Sequence, residues 1–280
     1  MKQVKSISSL REQLATVRQS GKKIALVPTM GNLHAGHLSL VNEVKPKADF
    51  IVVSLFVNPT QFVEGEDFDS YPRTLASDIQ SLENLDVDLV FIPNSSEIYP
   101  DGNEIDTQVS VPELESIYCG KFRPGHFQGV ATVVSKLFNI VQPDLAIFGI
   151  KDYQQLLVIR RLVKNLNFPI DIIGSATVRE KDGLAMSSRN QYLSETEREK
   201  APLLYKCICE MANAINNGND NYAKLEENAV ATLVNAGFKP EYISVCDSET
   251  LKAPNNQKLV IIAAVWLGNA RLIDNVAVQH

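Results

Sequence analysis

Ile24-Ala25-Leu26-Val27-Pro28-Thr29-Met30-Gly31-Asn32-Leu33-His34-Ala35-Gly36-His37 is the stretch on which the fold turns. It opens as an apolar β-rich run and reaches Pro28, which has no N–H to give a ladder. It then delivers the pattern HxGH, two of the chain's four histidines three residues apart. A helix beginning near Leu33 projects His34 and His37 from one face at its N-terminus, where open backbone N–H groups and the helix dipole favour an anion. That is a phosphate site. Gly36 lets a base or a phosphate approach the main chain, and Gly31 suits the positive φ of a strand-to-helix turn. A shuffled chain of this composition contains HxGH only about 0.003 times, so the spacing is informative although the motif is short.

Outward from this turn, apolar β-rich runs near residues 24–30, 50–57, 88–92, 144–149 and 170–178 alternate with helical periodicity at about 38–48, 74–85, 128–141 and 154–166. Near-continuous apolar runs such as 50–57 imply strands buried on both faces, hence a parallel sheet covered by helices on either side. The fold class predicted is α/β: a Rossmann-like doubly wound parallel sheet over residues 1–180, with ligands at the carboxyl ends of its strands. Beyond residue 180 the rhythm changes to helices at about 195–217 and 221–236 and strands near 241–246, 258–266 and 270–278, with Gly268-Asn269 as a hairpin signal. Residues 181–280 therefore read as a smaller α+β domain with an antiparallel sheet. The segment 94–126 reads as a long irregular loop.

Composition narrows the function. With 280 residues and a net charge of −6, the chain carries no basic block of the kind that neutralises many nucleic-acid or lipid phosphates. An anionic substrate must be met locally. The longest apolar run, about 259–267, is far short of the roughly 18 residues of a membrane span. The start of the chain carries Lys, Arg and Ser as a transit peptide does. However, Ile7, Leu10, Leu14 and Val17 fall at helical spacing and Glu12 interrupts the basic bias, so residues 1–23 read as the first helix of the fold. Cys119, Cys207, Cys209 and Cys246 show neither CxxC nor metal-ligand spacing, which fits free thiols in a reducing cytoplasm.

Further polar clusters fall where strands end or the two parts join. Ser54 to Phe62 (SLFVNPTQF) leaves Gln61 after a strand that stops at Asn58-Pro59; it reads either as a polar ligand contact or as a surface residue beside a plain turn. Leu145 to Gln155 (LAIFGIKDYQQ) places Lys151 and Asp152 between strand and helix. Lys151 is suited to neutralising phosphate charge, and Asp152 reads as a ribose acceptor or, more simply, as a helix N-cap. Gly183 to Asn190 (GLAMSSRN) offers Ser187, Ser188 and Arg189 to a polyphosphate at the domain junction, where a closing lid is also expected. Lys121 to Phe127 (KFRPGHF) carries Arg123 and His126, suited to closing over a carboxylate, and Asp78 after Tyr71-Pro72-Arg73-Thr74 is the candidate magnesium ligand.

Together these motifs, in this order and over essentially the whole chain, resemble the pantoate:β-alanine ligase (pantothenate synthetase) family, which shares the HxGH strand-turn-helix with class I aminoacyl-tRNA synthetases. Ile150 departs from the polar residue more common there. The resemblance implies a two-step ligase: the carboxylate of (R)-pantoate attacks the α-phosphorus of ATP, releasing pyrophosphate, and the β-alanine amine then attacks the enzyme-bound pantoyl adenylate, giving AMP and pantothenate. Carried over by motif, Met30, Gly31, Asn32, Leu33, His34, Ala35, Gly36 and His37, with Gly149, Ile150, Lys151 and Asp152, line ATP. The backbone of Val178 meets the adenine, and Met186, Ser187, Ser188 and Arg189 hold the phosphates. Gln61 and Gln155 hold pantoate, and His37 is the proton donor, with His34, Lys151 and Arg189 as its catalytic partners. The resemblance also implies Mg2+, a homodimer formed through the N-terminal domain, a C-terminal domain that closes over the site, and no nucleic-acid or membrane partner. The rival readings are a nucleotidylyltransferase making a stable dinucleotide, a tRNA-charging enzyme disfavoured by the short C-terminal part, and a silent nucleotide-binding module.

Overall fold

A computed structural model of the chain describes residues 1–63, 65–102, 107–254 and 258–278. They form two units, Met1–Ile150 with Val158–Ala176, and Lys151–Leu157 with Thr177–His280. The chain runs β1 (Lys2–Val4), α1 (Ile7–Gln19), β2 (Ile24–Thr29), α2 (Ala35–Val44), β3 (Phe50–Leu55), α3 (Leu75–Glu83), β4 (Leu89–Phe91), the short helices α4 (Ser95–Ile98), α5 (Pro112–Glu115) and α6 (Tyr118–Phe122), α7 (His126–Val141) and β5 (Leu145–Gly149). There follow α8 (Tyr153–Asn165), β6 (Asp171–Ser175), α9 (Glu195–Lys200), α10 (Leu203–Asn216), α11 (Tyr222–Asn235) and the strands β7 (Lys239–Asp247), β8 (Leu259–Leu267) and β9 (Ala270–Val278).

In the first unit the strands are parallel in the order β1-β4-β3-β2-β5-β6. Ala25, Val27, Ile51, Val53, Val90 and Ile147 pack with Leu40, Val41, Val44 and Leu82 from α2 and α3 on one face. Leu26, Val52, Phe91 and Ala146, of opposite parity, are also without exposure, so helices must cover both faces. β2 leads to β3 on one side, while its neighbour β5 leads to β6 on the other. The crevice between β2 and β5 is therefore the topological switch point, where a doubly wound sheet collects its ligands. β5 pairs β2 only at Ala25 and Leu26, whereas β3 follows β2 to Thr29. Pro28, without an N–H, sits in the stretch that β5 has already left.

In the second unit β7, β8 and β9 form an antiparallel sheet. Leu204, Cys207, Ile208, Met211 and Ile215 recur along α10 at helical spacing and pack with Ile243, Val245, Ile261, Ala263 and Val265 on one face of that sheet. The two sheets give the α/β class with the smaller α+β part that the sequence predicts.

Several expectations need correction in detail. Residues 1–23 contain β1 as well as α1; a three-residue edge strand paired with β4 leaves no periodic signal. The run 170–178 stops as a strand at Ser175, and beyond it Arg179 bridges Ala185. The predicted helix 195–217 is two helices, since Pro202 has no N–H to return to the preceding turn. The segment 94–126 holds three short helices, with residues 103–106 outside the described ones.

Candidate active site

The HxGH turn is built by two left-handed residues, Gly31 (φ 79°) and Asn32 (φ 50°), which lift the chain off β2. Buried Asp78 on α3 holds them there. Its Oδ2 accepts from Asn32 N at 2.9 Å, and its Oδ1 accepts from Leu33 N at 2.9 Å and from the Thr74 hydroxyl at 3.1 Å. A Cβ on Gly31 would lie 3.2 Å from Asp78 Oδ2 in a backbone conformation that side chains avoid, so this position requires glycine twice over. α2 begins at Ala35 rather than near Leu33, and His34 is its N-cap, with Nδ1 accepting from Gly36 N at 3.1 Å. His37 Nδ1 accepts from His34 N at 3.4 Å, completing a reciprocal cap, and the two rings lie 4.1 Å apart at 35°. Because both Nδ1 atoms act as acceptors, the neutral rings carry their protons on Nε2. The turn thus sets two Nε2–H donors at the N-terminus of a ten-residue helix.

Gln61 closes a 3-10 turn, Pro59–Gln61, at the carboxyl end of β3. Its Oε1 accepts from Asn58 Nδ2 at 3.0 Å. Asn58, 1% exposed, also donates to Gly129 O at 3.3 Å and accepts from the Tyr99 hydroxyl at 2.8 Å. Arg123 and His126 do not stand open to a ligand carboxylate. Arg123 grips Glu66 through Nε at 2.5 Å and Nη2 at 2.7 Å, and both Arg123 Nη2 (3.2 Å) and His126 Nδ1 (2.7 Å) donate to Gln61 O. Arg123 Nη1 lies 3.0 Å from His126 Nε2 and can only donate, so His126 carries its proton on Nδ1. Arg123 and His126 therefore clamp the main chain of Gln61. α7 approaches the same turn so closely that a Cβ on Gly129 would fall 2.1 Å from Thr60 O. Gly129→Ala is expected to destabilise the protein by about 3 kcal/mol, the upper part of the range for overpacking, because the obstacle is main chain. Urea unfolding measures this, and an unchanged midpoint would show that the turn yields.

In the second unit, Lys151 and exposed Asp152 lead into α8, with Asp152 O accepting from Leu156 N as an N-cap residue does. Gln155, half-buried, is on the first turn of α8. Val178 O accepts from Met186 N at 3.0 Å, and the Ser187 hydroxyl caps the turn Ser188–Tyr192 by accepting from Arg189 N at 3.3 Å. Lys151 and Ser187 line one pocket together with Asn190, Tyr205 and Arg271. Asn190 Nδ2 donates to Ala185 O, while its buried Oδ1 has no partner among the described residues.

The structure thus gathers the predicted residues by unit. Met30 to His37 follow β2, Gln61 follows β3 and Gly149 ends β5, three adjacent strands of the first sheet. Ile150 N donates to Ser175 O at 2.8 Å, a main-chain role that its unusual side chain does not affect. Lys151 and Ser187 meet in the second unit. Asp78, the candidate magnesium ligand, has its carboxylate oxygens engaged by two backbone N–H groups and a hydroxyl. Among the described residues no group of three or more His, Cys, Asp or Glu could hold a metal ion. The residues present do not fit a protein-built magnesium cage. Tyr99 and Glu66 carry no sequence signal because their partners, Asn58 and Arg123, are 41 and 57 residues away, and Asn58 reads from the sequence only as the end of a strand beside a turn.

The pantoate-β-alanine ligase family model matches residues 2–277. Pantothenate synthetase of Azotobacter vinelandii is 51% identical over 278 residues, covering 99% of this chain and 98% of that protein. The Pseudomonas putida enzyme of the same name is 53% identical over 277 residues, 98% of this chain and 96% of its own length. A crystal structure of pantoate-β-alanine ligase from Thermus thermophilus superposes with TM-score 0.93 at 44% identity, covering all of both chains. One from Francisella tularensis, complexed with β-γ ATP and β-alanine, gives TM-score 0.81 at 38% identity over 100% of this chain and 98% of that one. With a family match over nearly its full length, the chain belongs to the pantoate-β-alanine ligase family and is a carbon–nitrogen ligase that joins pantoate to β-alanine.

Proposed function

We propose that the residues described above carry out that ligation in two steps on ATP. The observation that supports this most strongly is the His34–His37 pair, whose caps leave Nε2–H as the proton-bearing nitrogen of each ring at the N-terminus of α2. A pantoate carboxylate attacking a triphosphate is a meeting of anions. The helix N-terminus, Lys151 and Arg189 offset the repulsion and take up charge as it moves toward pyrophosphate. His37 donates to the oxygen that leaves with pyrophosphate, and His34 caps the helix beside it. Met30 to His37 and Gly149 to Asp152 line the nucleotide, the Val178 main chain faces the adenine, and Met186 to Arg189 hold the phosphates. Gln61 and Gln155 bind (R)-pantoate, with Gln61 also near the incoming β-alanine amine, whose attack on the pantoyl adenylate expels AMP. Closure of the second unit keeps water from the adenylate. Magnesium would come with the nucleotide rather than be held by the protein, and would supply charge neutralisation on the phosphates. The reading also includes a homodimer through the N-terminal part and a cytoplasmic setting.

The test is ATP–pyrophosphate exchange. It is expected to require pantoate, and AMP is expected to accumulate only once β-alanine is added. Exchange driven by a nucleotide or phosphate acceptor instead would favour a nucleotidylyltransferase. Gln61→Ala is expected to raise the pantoate KM about tenfold or more while leaving the ATP KM within about twofold, as expected for the loss of a substrate hydrogen bond. Equal effects on both substrates would defeat that assignment.

A further inference from the structure

Asp274 and Asn275 are neighbours on β9, so their side chains leave opposite faces of the second unit's sheet. Asp274 stands opposite Ala263, which belongs to the apolar layer packed with α10 and α11, and Asn275 stands opposite Ile262 on the other face. Both are buried, at 4% and 7% exposure.

On the first face Arg179 pairs with Asp274 through two bonds, Nη1 to Oδ2 at 2.7 Å and Nη2 to Oδ1 at 2.9 Å. Its guanidinium lies 3.4 Å from the centroid of the Tyr205 ring, and Nη1 also donates to Gly183 O at 3.1 Å. Burial pulls the Arg179 pKa down, but the hydrogen bonds and charge of Asp274 more than offset this and hold it above its ordinary value. Arg179 is also the residue that bridges Ala185, and Met186 N donates to Val178 O beside it. Asp274 therefore anchors the ladder from which Met186 to Arg189 is hung. On the second face Asn275 Nδ2 donates to Lys151 O at 3.0 Å. The Asn275 N–H donates to Asp274 Oδ1 at 2.8 Å, which ties the two anchors together.

We propose that Asp274 and Asn275 are positioning residues: one dipeptide sets Lys151 and the Ser187–Arg189 turn in fixed register, so that ammonium and guanidinium act on the same phosphate chain. This rests on the assignment of Lys151 and Arg189 to the phosphates made above. Neither residue takes part in the chemistry itself. Their contribution is to keep a charged group from drifting by about an ångström, a displacement sufficient to cost on the order of 100-fold in rate.

The experiment is pantoate-dependent ATP–pyrophosphate exchange on the full chain. Asn275→Ala, and Asn275→Asp, which keeps the shape but replaces the donor by an acceptor, are each expected to lower kcat about 10- to 100-fold with the pantoate KM within about threefold. If the alanine variant fails to fold, the aspartate variant carries the test. In a Lys151→Ala background the Asn275 substitution is expected to add less than about twofold, because it acts through Lys151. Asp274→Asn is expected to slow exchange in both backgrounds, because it acts through the other loop. Normal rates in the Asn275 or Asp274 variants, or the same Asn275 loss with and without Lys151, would overturn the proposal while leaving Lys151 in place. A Lys151→Ala protein that exchanges normally would instead bring down the assignment on which the proposal rests, and the proposal with it.

Discussion

Replacing His37 by alanine is expected to slow pantoate-dependent ATP–pyrophosphate exchange by about 10² to 10⁴, the span associated with removing a general acid that also steadies developing charge. The expectation follows from the cap. His37 Nδ1 is engaged by the His34 N–H, so the ring proton lies on Nε2, and alanine removes that donor without emptying the core. The bond lost to the cap is long, at 3.4 Å, so the thermal midpoint is expected to stay close to that of the parent protein. His34→Ala removes an acceptor at 3.1 Å from the main chain of α2 and is expected to cost stability as well as rate, about 1 kcal/mol for a lost N-cap. Near-normal exchange in His37→Ala would rule out a catalytic part for the imidazole.

Asp78→Ala is expected to do more damage than any other single substitution in the turn. It removes the acceptors of Asn32 N, Leu33 N and the Thr74 hydroxyl at once, in a place where Asp78 itself is 3% exposed and water does not readily substitute. Hydrogen bonds to a charged group contribute about 1.5 to 3 kcal/mol each and are not additive, so a loss of about 3 to 5 kcal/mol is expected. For a chain of this size that corresponds to a midpoint lower by roughly 10 °C or more. Exchange is expected to fall with it, because the two main-chain bonds to Asp78 fix the left-handed path through Gly31 and Asn32 that aims the histidines. A variant of unchanged midpoint whose only defect is a weaker response to magnesium would reinstate Asp78 as a metal ligand.

Much of this was legible in the chain because the signals are local. The apolar runs around Val27, Val53 and Ile147 announce buried parallel strands, and Gly31, Gly36 and the paired histidines announce the turn that follows the first of them. Pro28 announces a strand about to end, and in the fold it lies where β5 no longer pairs β2. What escaped is what depends on partners far along the chain. Asp78 is 46 residues from Asn32, and near the start of a predicted helix it suggests a metal-binding acid as readily as a buried anchor. Arg123 and His126 look ready for a ligand until Glu66 and the carbonyl of Gln61 are found against them. Asp274 and Asn275 sit in a strand whose alternation reads as ordinary β structure; only pairing with Ala263 and Ile262 shows that one dipeptide serves two faces. Pro202 and β1 were missed for a simpler reason: an unbroken apolar period hides a chain break, and three edge residues are too few to show one.

The ligation turns on the attack of the pantoate carboxylate at the α-phosphorus of ATP. Pantoate whose carboxylate carries heavy oxygen can be incubated with the protein, ATP, magnesium and β-alanine, and the products weighed by mass spectrometry. One heavy oxygen is expected in AMP and none in pyrophosphate; AMP without the label, or label appearing in inorganic phosphate alongside ADP, would rule out attack at the α-phosphorus.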